Sequence, residues 1–269
     1  MKKRSTALLA LLAALLAGCG GSTDPREPAW IVPKQEASWN WQLQGVPDLS
    51  LEVEVWDLDL FDTPTSTIEA LHDRGALVMC YFSAGSYEAW RPDAGEFPPE
   101  ALGEELSGWD EQWFDIRHPS VRSIMLKRMD LAREKGCDGL EPDNVDAYAN
   151  ESGFDLTDSD QIDYNLFLAK EAHQRGLFVA LKNDLDQVGE LEPFFDLALN
   201  EQCHEYEECE LLTPFVDAGK AVFNAEYASR YVSNEGEARD QLCEEARRER
   251  FRTLVLPVAL DGSFRYTCD

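Results

Sequence analysis

The 269-residue sequence is poor in positive charge. Its 24 Lys and Arg face 52 Asp and Glu, for a formal charge of −28. That balance argues against nucleic acid as a partner, because phosphates are bound by Lys and Arg. Histidine is scarce, with only His72, His118, His173 and His204, and these do not cluster in the sequence. There is no CxxC and no HExxH, so the usual spacings of a metal site are missing, and neither metal nor cofactor is expected. No G-x-G-x-x-G follows the first strand-like run, which weakens a dinucleotide-binding sheet. There is no P-loop, and SAGSYE (83–88) is not the G-x-S-x-G elbow of a Ser–His–Asp enzyme. The longest apolar run, Ala7 to Leu16, is too short to span a bilayer as a permanent helix.

What is present begins with an export signal. MKKRSTALLALLAALLAGC has a basic start, an apolar stretch and small residues before a cysteine. Leu16-Ala17-Gly18-Cys19 resembles a bacterial lipobox. It implies cleavage before Cys19, lipid on Cys19, and an exported cell-envelope protein that meets the membrane through that lipid alone. Residues 1–18 are then signal, 19–37 a tether rich in Gly, Pro and polar residues, and 38–269 a single domain. Six cysteines remain: Cys80, Cys137, Cys203, Cys209, Cys243 and Cys268. An even number in an exported chain points to disulfides. Cys203 with Cys209 would staple one loop, Cys243 with Cys268 would hold the C-terminus, and Cys80 with Cys137 would join neighbouring segments. Six cysteines allow 15 pairings, so spacing alone does not fix them.

Eight apolar strand-like runs alternate with helical stretches: 39–43, 53–60, 76–83, 139–141, 177–182, 197–201, 221–227 and 253–258. The helical segments TSTIEALHDRG, VRSIMLKRMDLAREKG and QIDYNLFLAKEAHQRG each end in Gly, a common helix stop, and the first offers a Thr or Ser cap. Strand, helix, Gly, strand, repeated, predicts an α/β protein with a parallel sheet. Eight repeats in this length predict a TIM-like (β/α)8 barrel. Reacting groups of such barrels sit at the C-terminal ends of strands.

Those ends are rich in acids, amides and aromatics. WNWQL carries Trp39 and Trp41, expected on opposite faces of the strand. WDLDLFD carries Asp57, Asp59 and Asp62. CYFSAGSYE carries Tyr81, Ser83, Ser86 and Glu88. GLEPDNVDAY carries Glu141, Asp143, Asn144, Asp146 and Tyr148. ALKND carries Lys182, Asn183 and Asp184; LNEQC carries Glu201; and NAEY carries Glu226 and Tyr227. Ionisable groups where an apolar run stops are costly without pairing or function. Carboxylates with aromatic platforms and amides are the equipment of glycosidic bond cleavage. Each residue also has a structural reading. Glu141 either serves as the catalytic acid in place of Asp143 or binds Lys182 in the barrel wall. Asp59 either binds a sugar amine or pairs with Lys182. Tyr81 and Tyr227 are pocket walls or ordinary packing, and Trp90 and Trp113 are sugar platforms or loop anchors. The run Glu205, Glu207, Glu208, Glu210 reads as a solvated acidic loop.

In order along the chain, WNWQLQG, WDLDLFD, CYFSAGSYEAWRPDA, GCDGLEPDNVDAY, LTDSDQIDYNLFLAKEAHQRGL, ALKND and NEQC resemble glycoside hydrolase family 114, whose characterised activity is endo-α-1,4-polygalactosaminidase. The resemblance runs from about Trp39 to the C-terminus. It implies a TIM-like barrel and retaining cleavage of α-1,4-linked galactosamine polymers by an Asp and a Glu. The matching motifs supply Asp143 as nucleophile and Glu201 as general acid/base, with Trp41, Asp59, Tyr81, Ser83, Glu141, Asn144, Lys182, Asn183, Glu226 and Tyr227 around the substrate. Retention needs the two carboxyls roughly 5 Å apart, and the acid role calls for a raised pKa on Glu201. The acidic charge suits a polycationic, deacetylated polymer. A monomer is expected. The competing readings are an inactive carbohydrate-binding lipoprotein on the same barrel, or a glycosidase for another amino-sugar polymer.

Overall fold

The computed structural model describes residues 30–269. The signal segment and Cys19 lie outside the described residues. Twelve strands follow in chain order: β1 (Trp39–Gln42), β2 (Val55–Asp59), β3 (Leu77–Ser83), β4 (Ser86–Glu88), β5 (Leu102–Glu105), β6 (Glu111–Phe114), β7 (Gly139–Asp143), β8 (Phe178–Lys182), β9 (Leu197–Glu201), β10 (Val222–Glu226), β11 (Arg252–Val255) and β12 (Tyr266–Thr267). Eight of them, β1-β2-β3-β7-β8-β9-β10-β11, pair in parallel in that order, and they are the eight strands expected from the sequence. This is the TIM-like α/β barrel. β12 adds an antiparallel edge to β11. Side chains tie the first strand to the last: the Trp39 indole donates to the Arg252 carbonyl at 2.7 Å, and Arg265 donates to the Trp39 carbonyl at 2.7 Å.

Helices between the strands include α1 (Thr65–His72), α2 (Pro119–Lys135) and α3 (Asp158–Gln174). α3 opens with a capping box between Thr157 and Asp160, and α2 with Pro at its first position, where no amide donor is needed. α1 has no side-chain cap; Pro64 precedes it. α2 stops at Gly136, whose φ of 90° is a left-handed conformation open to glycine at little cost.

Alternation along the strands builds two cores. In β8, Phe178 and Ala180 pack inside the barrel, while Val179 and Leu181 pack outward against the helices. Lys182 is next on the inward side, so the same alternation carries the lysine to the axis at the strand's C-terminal end. β7 and β9 deliver Asp143 and Glu201 in the same way. Trp39 and Trp41 do not face opposite sides. Both belong to the inner core, with centroids 6.2 Å apart, because residues two apart on a strand share a face.

A three-stranded antiparallel sheet, β4-β6-β5, is inserted after β3. Its strands are three or four residues long, too short for alternation to be visible in the sequence. It places Trp113, read as loop, in a strand. Residues 30–37, expected within the tether, lie against the barrel: Trp30 stacks on His173 at 4.1 Å and Gln35 donates to the Val216 carbonyl at 2.8 Å. The disulfides are Cys80–Cys137, Cys203–Cys209 and Cys243–Cys268, the pairings named above among the 15 possible. Among the described residues no helix is long and apolar enough to cross a membrane.

Candidate active site

At the C-terminal mouth of the barrel one ammonium gathers three carboxylates. Lys182 Nζ lies 3.0 Å from Glu141 Oε1, 2.9 Å from Asp143 Oδ1 and 3.1 Å from Glu201 Oε2. It also sits 4.8 Å above the Trp41 ring. Burial alone would lower its pKa, but Asp143, Glu141 and Glu201 raise it well above the ordinary value, so it stays charged. The site is built from adjacent strands of one sheet: β7 gives Glu141 and Asp143, β8 gives Lys182 and β9 gives Glu201.

The backbone after each of these strands turns through a left-handed residue. Asn144 has φ 59°, Asn183 φ 48°, Asp184 φ 45° and Gln202 φ 62°. Short polar side chains tolerate this region better than others, and such conformations concentrate at functional sites. The turns aim amides at the carboxylates. The Asn144 N–H donates to Asp143 Oδ1 at 2.7 Å, and the Asn183 side chain both accepts from the Glu201 N–H at 2.9 Å and donates to Glu201 Oε2 at 3.3 Å. Gly85 makes room for the first turn: a Cβ there would lie 1.6 Å from the Asn144 carbonyl oxygen. The Asn144 side chain is fixed by Ser83 and Ser86, each at 3.0 Å.

Glu201 behaves differently from the sequence expectation. Burial pushes its pKa up, but Lys182, the Tyr227 hydroxyl at 2.6 Å and Asn183 together hold it below the usual carboxylate value. Beneath Lys182, Glu141 is fully buried and its pKa is pushed up to about 8, burial being opposed by the lysine. Asp57, also fully buried, lies beside it and is raised well above the ordinary range by burial and by Glu141. Asp57 lacks a cation of its own, so burial beside Glu141 favours its protonated form. Glu141 therefore takes the structural option, holding Lys182 from below, out of contact with solvent.

Asp143, Glu201, Lys182, Asn144, Asn183, Tyr81 and Trp41 line one cavity of about 250 Å³, together with Trp113, Glu111 and Trp109. The last two come from the inserted sheet and its turn. Their only trace in the sequence is a pair of tryptophans flanking acids, WDEQW. Glu111 is buried, its pKa is pushed up to about 7 by burial, and it accepts a hydrogen bond from Ser86.

Three expected contact residues lie elsewhere. Asp59 pairs with Arg91 at 2.8 Å, not with Lys182. Ser83 is fully buried and faces Ser86 and Asn144, so it supports the loop without meeting a ligand. Glu226 is fully buried, points outward from β10 and accepts the His204 N–H at 2.9 Å. Its neighbour Tyr227 is the inward residue. Trp90 stands 55% exposed beside the Arg91 cavity, as a platform would. Cys203, His204 and Cys209 form a group of metal-ligand type, but the two sulfurs are bonded to each other.

A parallel barrel whose mouth holds an Asp and a Glu across one small cavity, with amides and aromatics around them, belongs to the glycoside hydrolase class of enzyme. The comparisons with known proteins agree. The model of glycoside hydrolase family GH114 matches residues 21–269, and the chain belongs to that family. The crystal structure of Aspergillus fumigatus Ega3 in complex with galactosamine superposes with a TM-score of 0.85 at 38% identity, covering 91% of this chain and 100% of that one. The glycoside hydrolase domain of PelA from Pseudomonas aeruginosa shares the fold, with a TM-score of 0.65 at 19% identity over 84% of this chain and 96% of that one. The search of curated proteins found no match.

Proposed function

We propose that this enzyme is an exported, lipid-anchored, monomeric endo-glycosidase that cuts α-1,4-linked galactosamine polymers with retention, using Asp143 as nucleophile and Glu201 as general acid/base. The observation that carries the reading is the shared lysine. Its two legs, 2.9 and 3.1 Å, bound the separation of the facing Asp143 and Glu201 oxygens at about 6 Å. Retaining pairs stand about 5–5.5 Å apart and inverting pairs about 6.5–9.5 Å apart, the extra space holding a water. The galactosamine in the complex of the 38% identical Ega3 supports an amino-sugar substrate, and so does the excess of acid over base.

In this mechanism protonated Glu201 gives its proton to the glycosidic oxygen as the bond from that oxygen to the anomeric carbon breaks. The Asp143 carboxylate forms a bond to the same carbon. Glu201, now ionised, takes a proton from water, whose oxygen attacks the anomeric carbon and releases Asp143 as a carboxylate. Lys182 and the Asn144 amide hold Asp143 in position, and Tyr227 holds Glu201. Because Lys182 keeps Glu201 acidic, its protonated form is favoured at low pH.

The test incubates the protein, Asp143→Asn and Glu201→Gln with partly deacetylated α-1,4-galactosamine polymer. New reducing ends are counted and the first anomer formed is read by NMR. Cleavage giving the α anomer first, with about a thousandfold loss or more in both variants, is expected. A β anomer first would overturn retention. Binding without cleavage by the parent would instead support the carbohydrate-binding reading. Lipidation at Cys19 is checked separately by the loss of membrane retention in Cys19→Ser.

A further inference from the structure

The inserted sheet adds a buried carboxyl, Glu111, to the wall of the cleavage cavity. Glu111 opens β6, is 7% exposed, and shares that wall with Asp143 and Asn144. The nearby Arg91 pairs with Glu88 and Asp59 instead. What Glu111 holds is the hydroxyl of Ser86, the first residue of β4. Ser86 is fully buried, and its oxygen lies 3.0 Å from the Asn144 side-chain nitrogen and 2.5 Å from the Ser83 oxygen.

The protons of this cluster can run in one direction only. Ser86 has a single hydroxyl proton, and it goes to Glu111. The Ser83 hydroxyl must then donate to Ser86. Each serine oxygen keeps two acceptor positions. Those of Ser86 take Ser83 and the Asn144 amide; those of Ser83 take the Asn144 amide at 3.0 Å and the Ser86 N–H at 3.1 Å. With both hydroxyl protons committed, only the nitrogen end of the Asn144 side chain can face the serines. Asn144 needs this hold, because it sits at φ 59°, a left-handed conformation that costs any residue with a side chain. Its own N–H donates to Asp143 Oδ1 at 2.7 Å. The Ala84 and Gly85 N–H groups, between the two serines, donate to the Asp143 carbonyl at 2.8 and 3.0 Å. The chain Glu111–Ser86–Asn144 therefore ends on the residue that carries the proposed nucleophile.

We propose that Glu111 is a positioning residue for Asp143, acting through Ser86 and Asn144. The proposal rests on Asp143 being the nucleophile of the endo-glycosidase read above. Without the carboxyl group, the Ser86 proton is free to turn to Asn144 and the amide can reverse. The left-handed turn that aims Asp143 then loses its anchor. A displacement of about 1 Å at a reacting group costs about a hundredfold in rate.

The test measures kcat and KM on deacetylated galactosamine polymer for the protein, Glu111→Ala, Glu111→Gln and Ser86→Ala. Glu111→Ala and Ser86→Ala are each expected to lower kcat about tenfold to a hundredfold, with KM within about twofold of the parent. Glu111→Gln, whose amide oxygen can still accept from Ser86, is expected to recover most of that loss. Glu111→Ala is then combined with Asp143→Asn. With no nucleophile left to aim, it should lower the residual rate by less than about twofold, since residues acting through one another are not additive. A variant that only folds poorly would lose the same factor in both backgrounds, and that result overturns the proposal. So does Glu111→Ala with parental kcat, or Glu111→Gln as slow as Glu111→Ala. Asp143→Asn as active as the parent removes Asp143 as nucleophile, and the positioning role with it. Absence of cleavage of every galactosamine polymer overturns the endo-glycosidase reading as well.

Discussion

Two clusters of buried charge stand at the same rim of the barrel and are built in opposite ways. Around Lys182 a single ammonium serves Glu141, Asp143 and Glu201, with Asp57 beneath them. Next to it, two guanidinium groups serve the other acids: Arg91 holds Asp59 at 2.8 Å and Glu88 at 2.6 Å, and Arg128 holds Asp93 through two parallel bonds of 2.8 and 2.9 Å. The second cluster is nearer balance, two cations to three acids, and is locked by planar forks. Arg128 also donates to the Ser83 carbonyl at 2.7 Å, bracing the end of β3. The first is short of positive charge, uses a point charge on a flexible stem, and opens into a cavity. A nearly balanced cluster locked by planar forks is architecture. A deficient one held by a point charge is a place for a ligand and for proton transfer.

The comparison breaks most sharply at its two cations. Lys182→Met is expected to lower kcat/KM by about a thousandfold, near 4 kcal/mol, by freeing both proposed catalytic carboxylates. The sign of its pH effect is specific. Lys182 lowers the Glu201 pKa, so its removal raises it. Activity that needs protonated Glu201 is present below that pKa and lost above it. The basic limb of the residual kcat/KM profile therefore moves to higher pH, and an unmoved limb would remove Glu201 from the acid role. Arg128→Met should act on stability instead, by about 3 kcal/mol, because it strands Asp93 without its cation. Denaturant unfolding of the two variants side by side checks the division. Equal loss of stability in both would erase the distinction between the clusters.

Smaller effects sharpen it. Tyr227→Phe removes one hydrogen bond to Glu201 and should cost about tenfold in kcat/KM, with the basic limb again moving upward. Raising ionic strength from about 0.05 to 0.5 M should raise KM for a deacetylated polymer a few-fold and leave a fully acetylated oligomer unaffected, since screening weakens attraction only for the charged substrate. Steady-state assays on both substrates decide it.

Much of this was legible from residue order alone. Helix signals and strand runs follow one another on both sides of the insertion at 86–114, so the eight parallel strands and their succession could be read directly. Asp143 and Glu201 stood among the acids at strand ends, and the resemblance to the family gave them their roles. Asp59 and Glu226 stood at such ends too and turned out to face Arg91 and the His204 amide. A carboxylate at a strand end looks the same in sequence whether its partner is a protein cation or a substrate. The inserted sheet was invisible because its strands are too short to show a period, and with it went Glu111 and Trp109.

The sequence by itself determined the barrel, the identity of the acids at its mouth and the strands that carry them, because those follow from hydrophobic periodicity and local caps acting within a few residues. Only the tertiary structure decided that Lys182 ties Asp143 to Glu201, that Glu201 is held acidic and that Arg91 neutralises Asp59. Each depends on distances between residues 18 to 60 positions apart, and electrostatic energy follows distance and burial, which the order of residues does not contain.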